Sequence, residues 1–546
     1  MSFSPLRAFV RLSALGGILI VAGVLLWGHF DSGKPAPLTA AKPDPALAKA
    51  VAKVDAAFRS SWIAAGLEPA TEADALTVAR RLSLALTGAP PSLEEVRRLE
   101  GLPQGADPVA AWLDHLLADR RSADYLAERF ARAFVGVESG PFLIYRRRRL
   151  VSWLGDQIQA NRPYDEIVRD LVEAEGLWTT KPETNFITVA VVQGGSKEGP
   201  DEIKLAGRTA RAFLGLSLDC VQCHDDMFGD QWKQADFHQL AAFFAQAEIN
   251  LTGIRDNSRK SYETRYLGET APVKVNPMVP YGSGFFSKDG PRREQLARWI
   301  THPDNTPFAR AAVNRTWAIL FGKPLIDPVD NLPIDGPFPA GLEELAREFS
   351  ASGHDLRHLI RLIAMSGPYR RASRSTVPDK PITAETEAAW AAFPLTRLRP
   401  EQVAGSVIQA STLQALDSDT HIIQKLRRFG ETRDFVKRYG DPGEEEFAGE
   451  SGTIPQRLLL MNGKLVRERT EPNPVMNAST RLARYSPSDE AAVKAAFLAS
   501  LTRHPEPAEL GHFAGLLAGS KGNTRDRALT DLCWTLINTT EFSWNR

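Results

Sequence analysis

The chain has 546 residues, 43% of them hydrophobic and 24% charged, which is typical of a globular protein with a sizeable core and two or three domains. The 66 basic and 66 acidic residues give a formal net charge of zero, so the overall charge favours neither a nucleic acid nor an anionic membrane surface as partner. Three cysteines are too few for a disulfide framework.

The first 30 residues carry the pattern of a membrane anchor. Arg7 and Arg11 precede residues 12–27, a stretch without any charged side chain. Positive charges on the N-terminal side of such a stretch favour a cytoplasmic N-terminus. We therefore predict a transmembrane helix within residues 1–30 that anchors the protein in the cell inner membrane, with the bulk of the chain on the periplasmic side. Cleavage near Ala40 would instead release a soluble form.

A Pro- and Ala-rich linker is predicted for residues 31–55, followed by a helical domain over residues 56–248. One helix of this domain shows an apolar face through Leu76, Ala79, Leu82 and Leu86. Ser92 and Glu95 stand three residues apart after the next turn, and this spacing predicts a capping box at the start of the following helix.

Residues 249–290 lose the helical period, alternate between apolar and polar side chains, and contain several Gly and Pro residues, so we predict a small β-rich insert. Residues 291–546 return to helical patterns. Cys533 lies in one of them among apolar neighbours and is predicted to be buried. The predicted fold is mainly α, with two helical domains separated by the insert.

The feature that points to chemistry is the run Cys220-Val221-Gln222-Cys223-His224. A Cys-x-x-Cys-His motif is the attachment site of c-type haem, in which both thiols bind the haem vinyl groups and the adjacent histidine ligates the iron. The motif therefore predicts one covalent haem c, held by Cys220 and Cys223, with His224 as the ligand of the haem iron.

The sequence leaves the sixth iron ligand open between Met278, in the predicted insert, and His238, on the helix after the motif. Met227 lies too close to His224 to reach the opposite face of the ring. Two other interpretations of the motif remain. The two cysteines could form a disulfide bond, or they could bind a metal together with His224 and neighbouring side chains, of which the candidates are Asp225, Asp226, Asp230 and His238.

Several longer stretches resemble the planctomycete-type cytochrome-like domain, a domain of unknown function, and its usual C-terminal partner, also of unknown function. The first resemblance rests on residues 80–91, 162–165, 213–225 and 240–244. The second rests on residues 293–300, 303–305, 312–317, 356–363, 369–370, 399–402 and 531–542. The resemblance implies a secreted or membrane-tethered helical protein that carries the haem motif on Cys220, Cys223 and His224, and it supplies no known reaction.

Together these observations predict an extracytoplasmic, membrane-anchored c-type-cytochrome-like protein that performs electron transfer or haem-based redox chemistry with an unidentified redox or protein partner. Two alternatives remain. One is a non-haem extracellular hydrolase whose acid and base come from Asp225, Asp226 and Asp230. The other is a structural or interaction protein. In both, Cys220 and Cys223 would form a disulfide bond.

Overall fold

The computed structural model describes residues 37–137, 140–141, 143–192, 199–226, 231–375, 381–415, 422–443, 447, 452–473 and 477–546. Over these ranges the chain is mainly helical with a few short strands, which confirms the predicted helical class. The predicted membrane helix at residues 1–30 lies outside the described residues. Among the helices that are described, none is both long enough and apolar enough to cross a membrane.

Helices occupy most of the chain between residues 45 and 173, and several of them begin at a side-chain cap. The Glu95 N–H donates to Ser92 Oγ at 3.1 Å and the Ser92 N–H donates to Glu95 Oε2 at 2.7 Å, which confirms the predicted capping box. The helices of this part are Pro45–Ala64, Ala75–Thr87, Leu93–Glu100, Pro108–Ala118, Arg120–Val135, Arg147–Gln159 and Tyr164–Glu173.

The middle of the chain alternates short helices with two-stranded hairpins. The helices are Asn185–Thr188, Glu202–Thr209 and Gln234–Ala241. Antiparallel hairpins pair Val191–Val192 with Gly199–Pro200, Ala247–Asn250 with Gly253–Asp256, and Tyr262–Thr264 with Val273–Val275. The last two hairpins lie in and around the segment predicted to be β-rich.

The remainder of the chain is again helical. Its helices are Arg292–Ile300, Thr306–Phe321, Leu342–Ala351, Leu356–Met365, Gly367–Arg370, Ala384–Ala388, Pro400–Ala410, Ile422–Tyr439, Ile454–Asn462, Lys464–Thr470, Ala478–Tyr485, Asp489–Leu501, Pro507–Leu517 and Gly522–Ile537. A short antiparallel pair joins Thr396–Arg397 to Trp544–Asn545 near the C-terminus. Cys533 is buried, as predicted.

The helix Ala75–Thr87 lies between two hydrophobic clusters. Leu82 and Leu86 belong to a main cluster whose members span residues 50 to 447, whereas Leu84 belongs to a second cluster built mostly from residues 398–542. The helical segments before and after residues 249–290 thus contribute to one continuous core. The predicted domain boundaries themselves stay a prediction.

Two fully buried arginines of this helix donate hydrogen bonds to distant parts of the chain. Arg80 Nη2 donates to the Phe542 carbonyl at 3.1 Å. Arg81 donates to the carbonyls of Tyr369 and Arg546 at 2.9 and 2.6 Å. Burial lowers the pKa of each guanidinium to about 9, because the charged form loses its hydration. The hydrogen bonds to carbonyl oxygens replace part of that hydration and hold the C-terminus against the first helices.

A second connection joins the helices Arg120–Val135 and Pro400–Ala410. Arg129 Nη1 lies 2.9 Å from Glu401 Oε1, and the same oxygen accepts hydrogen bonds from Arg399 Nε at 3.1 Å and from the Tyr125 hydroxyl at 3.0 Å. Burial by itself would raise the pKa of Glu401, but Arg129, Arg399 and Arg132 lower it to about 2. The carboxylate is therefore charged across the physiological range.

Candidate functional site

The motif run lies on a short turn that follows the helix Glu202–Thr209 and a single π-helical turn, Ala210–Leu214. Residues Asp219–Gln222 form one turn of 3-10 helix and Cys223 ends it. Val221 is buried with 4% of its surface exposed and anchors the turn in the main core, whereas both cysteines are exposed. The sequence therefore presents the thiols outward by burying the residue between them.

The helix Gln234–Ala241 holds the turn in place. Gln234 Nε2 donates to the Gln222 carbonyl at 3.1 Å, and the Gln234 backbone N–H donates to Asp225 Oδ1 at 2.8 Å. The Asp226 N–H donates to the Trp232 carbonyl at 2.8 Å. These bonds fix the backbone between the two cysteines and just after Cys223, and they engage Asp225, one of the acidic side chains predicted as a ligand or an acid/base group.

The start of the turn is fixed by an ion pair and a close approach. Arg211 Nη1 forms an ion pair with Asp219 Oδ2. A Cβ atom at Gly207 would lie 2.8 Å from Asp219 Oδ1, so only glycine lets the helix Glu202–Thr209 pass this close to the turn. Neither contact follows from the sequence pattern, since the motif alone does not reveal which residues pack behind it.

His238, a predicted sixth ligand, uses both ring nitrogens in hydrogen bonds. It is 2% exposed, with Nε2 at 3.1 Å from the Gln222 carbonyl and Nδ1 at 2.8 Å from the Tyr262 hydroxyl. A carbonyl oxygen only accepts, so Nε2 carries the proton and Nδ1 accepts from Tyr262. Burial lowers the pKa of His238, against the opposing effect of the Gln222 carbonyl. The imidazole is thus a neutral bridge between the motif turn and the strand Tyr262–Thr264.

The other predicted iron ligands are His224 and Met278. His224 Nδ1 donates to the carbonyl of its neighbour Asp225 at 2.7 Å. The Met278 side chain belongs to a residue that is 48% exposed, and its backbone N–H donates to the Gln239 carbonyl at 3.4 Å. Met227 and Asp230 lie outside the described residues.

The three thiols differ sharply in their surroundings. Cys220 and Cys223 are free and exposed, so the disulfide bond that the sequence left open as an alternative is not formed. Side chains three residues apart in a 3-10 turn lie above one another, which places these two thiols on the same side of the turn. Cys533 is free and buried, and burial raises the pKa of its thiol to about 12. The arrangement therefore offers one accessible pair and one inert thiol.

Two family models match the chain. The first, a protein of unknown function named PSCyt2 (DUF1549), matches residues 53–249. The second, a protein of unknown function named PSD1 (DUF1553), matches residues 292–434. Their order confirms the resemblance noted in the sequence. No curated protein and no solved structure matches the chain.

The prediction of a c-type-cytochrome-like function in electron transfer or haem-based redox chemistry is wrong. Both matched families are of unknown function, so they support neither haem binding nor electron transfer. Over the described residues, no three His, Cys, Asp or Glu side chains form a group that could hold a metal ion, and this includes Cys220, Cys223 and His224. For His238 the physical reason is local, because the Gln222 carbonyl and the Tyr262 hydroxyl engage both of its ring nitrogens.

The residues on which the chemistry of the motif depends are thus the two exposed thiols and the side chains that hold their turn, Gln234, His238 and Asp219. Sequence spacing found the thiols. The supporting residues come from helices and strands on both sides of the motif. With PSCyt2 (DUF1549) matched first and PSD1 (DUF1553) after it, the chain carries these two domains of unknown function in that order.

Proposed function

We propose that Cys220 and Cys223 form a surface dithiol that exchanges with disulfide bonds of other molecules. The observation that carries this proposal is the pair of free, exposed thiols on one side of a single 3-10 turn. Residues three apart in a 3-10 turn lie about 6 Å apart along its axis, which is within the Cα separation that a disulfide bond allows.

This thiol–disulfide exchange requires no bound cofactor, because the partner disulfide accepts both electrons. One thiolate attacks a sulfur of the partner disulfide, which forms a mixed disulfide and releases a partner thiolate. The second cysteine then attacks the sulfur of the first, closes the Cys220–Cys223 bond and releases the other partner thiolate. Two electrons pass to the partner, and the two protons lost by the cysteines protonate the released thiolates.

The turn suits this exchange because its backbone is held from outside the pair. Gln234 and His238 bind the Gln222 carbonyl, between the two cysteines, and leave both sulfurs accessible. Neither of these hydrogen bonds involves a sulfur atom, so oxidation of the pair does not consume them.

We further propose that the dithiol functions in the cellular setting predicted from residues 1–30. A membrane anchor would place the dithiol on the periplasmic side, where disulfide bonds form and persist. Its partner is then an exported protein that contains a disulfide bond, and the membrane keeps the pair close to newly exported chains.

The test is a redox titration of the full chain in thiol–disulfide buffers, followed by alkylation and intact mass. We expect a reversible two-electron transition between about −120 and −270 mV, the range of exchange-active pairs. The Cys220→Ser/Cys223→Ser variant loses the transition. The Cys533→Ser variant retains it, because that thiol is buried, and serves as the matched control.

Either of two other outcomes overturns the proposal. A potential below about −300 mV marks a structural disulfide bond that exchange partners do not reduce. A mass increase of one haem, removed together with both cysteines, shows that the sulfurs are occupied by a covalent group and cannot exchange.

A further inference from the structure

A cleft of about 230 Å³ opens at the start of the helix Thr306–Phe321, far in sequence from the motif turn. Three aromatic side chains line it, Tyr281, Phe285 and Phe338. Its volume is roughly that of seven or eight water molecules in the liquid, which is enough for one small organic group. Every residue that lines this cleft belongs to the described part of the chain.

Two of the aromatic rings are held by packing and hydrogen bonds. The Tyr281 hydroxyl donates to Asn305 Oδ1 at 2.9 Å, and its ring packs against Trp299 with ring centroids 4.9 Å apart. The Phe285 ring stacks on His302 with centroids 4.9 Å apart. A ring that is already ordered loses little side-chain entropy when a ligand binds, so these rings form a prepared surface.

The single cation that lines the cleft is neutralised by another group. Arg310 Nε is bonded to Glu343 Oε1, and the guanidinium lies over the Phe338 ring at 4.1 Å from its centroid. A carboxylate at hydrogen-bond distance cancels most of the field of a guanidinium at the cleft. Arg310 therefore lines the cleft with its planar guanidinium group but adds little net positive charge to it.

Two further carboxylates line the cleft without a cationic partner of this kind. Within the described ranges Asp335 makes no hydrogen bond and no ion pair through its side chain, and it is exposed. The Asp304 side chain is 78% exposed, and its nearest basic group is His302 Nδ1 at 3.6 Å. The Asp304 N–H donates to that same nitrogen, so Nδ1 carries no proton and the ring is not a cation in this geometry. The cleft is thus negative overall.

We infer that this cleft binds a small organic ammonium group, of the quaternary or methylated kind. The π-face of an aromatic ring attracts a cation, and carboxylates at the rim add to that attraction. An anion such as a phosphate is repelled by Asp304 and Asp335. A neutral sugar could stack on the rings but would gain nothing from the net negative charge. The site does not depend on the cysteine pair, so the two proposals stand or fall separately.

The test compares choline with 3,3-dimethyl-1-butanol, a molecule of the same shape in which carbon replaces the charged nitrogen, by calorimetry on the full chain. We expect choline to bind about tenfold more tightly than the neutral analogue, since a cation–π contact with a partly desolvated cation is worth about 1–2 kcal/mol. Glucose serves as the probe for sugar binding.

The variants separate charge from shape. Asp304→Asn/Asp335→Asn should weaken choline binding about three- to tenfold and leave the neutral analogue unchanged, because only the ionic attraction is removed. Both side chains are at the surface, so the fold should persist. Glu269→Gln removes an exposed carboxylate that does not line the cleft, and it is the matched control. Equal affinity for the two probes, binding of glucose in place of choline, or no binding of choline each overturns the inference.

Discussion

Glu401→Gln tests whether the ionic contact between the helices Arg120–Val135 and Pro400–Ala410 stabilises the fold. The substitution keeps the shape of the side chain and an acceptor for the Tyr125 hydroxyl, but it removes the negative charge that faces Arg129 and Arg399. Arg129 is 2% exposed, so the substitution removes a carboxylate charge that lies 2.9 Å from a buried guanidinium. Removing one charge of a buried ion pair is strongly unfavourable, because the desolvation of the other is no longer offset by the same attraction.

The size of the effect follows from the pKa of the carboxyl. Glu401 has a pKa of about 2 in the folded chain, whereas a glutamate in an unfolded chain titrates near 4.3, so the folded structure favours its charged form by about 3 kcal/mol. Removing one partner of a buried pair costs about 3–5 kcal/mol in other proteins, which is the same range. A loss of about 3 kcal/mol is a large share of the stability of a domain.

The pH dependence has a definite sign. Because folding lowers this pKa, the stabilisation is complete above the unfolded value near 4.3 and is lost as the pH falls toward 2. Glu401→Gln should therefore be less stable than the wild type at neutral pH, and the difference should shrink in acid.

The assay is urea unfolding followed by tryptophan fluorescence, at neutral pH and at several acidic values. Glu385→Gln, which changes an exposed glutamate on the helix Ala384–Ala388, should leave the unfolding midpoint unchanged. A loss below about 1 kcal/mol at neutral pH, or a difference from the wild type that does not change with pH, would refute the assigned role of the carboxylate.

Three further predictions concern single buried groups. Cys533 should stay unmodified by iodoacetamide in the folded chain and react after unfolding, because burial raises the pKa of its thiol to about 12. Intact mass measures the modification, and rapid labelling of Cys533 in native buffer would contradict this prediction. Tyr262→Phe should cost about 1–2 kcal/mol in urea unfolding, since it leaves Nδ1 of the buried His238 without its donor, and an unchanged midpoint would show that the bond is not stabilising. Arg293→Met should cost about 3–5 kcal/mol, because it leaves Asp256 without its 2.8 Å partner, and a fully stable variant would count against the pairing.

Local patterns in the sequence predicted local structure well. The capping box joins Ser92 to Glu95, three residues further on, and Cys533 lies among apolar neighbours, so both predictions needed only nearby residues. The same reasoning gave Leu82 and Leu86 one apolar face of a helix. In the structure nearly the whole of that helix is buried, because two hydrophobic clusters cover it from different sides. The periodicity of apolar residues identifies one buried face of a helix. It does not show that residues from a distant part of the chain also bury the opposite face.

At the candidate site, too, the sequence predicted local features and did not predict contacts with distant residues. The spacing of Cys220 and Cys223 identified the pair, but the haem interpretation also required ligands that would converge on one iron atom. His238 was a reasonable candidate by position, and its two nitrogens are taken by the Gln222 carbonyl and by the hydroxyl of Tyr262, 24 residues further along the chain. No motif encodes that contact, because it depends on how a hairpin folds back on the helix Gln234–Ala241.

Some of the stretches that carry the family resemblance form structural contacts that the sequence alone did not predict. Residues 399–402 supply Arg399 and Glu401 to the buried ionic contact, and Gln402 Nε2 donates to the Leu84 carbonyl at 2.9 Å. Residues 80–91 supply the arginines that bind carbonyls at the C-terminus. Both stretches therefore form contacts between the first helices and parts of the chain that lie several hundred residues further along. The exposed thiols and the negative cleft lie outside these contacts, and their side chains can therefore be changed to test function without taking the fold apart.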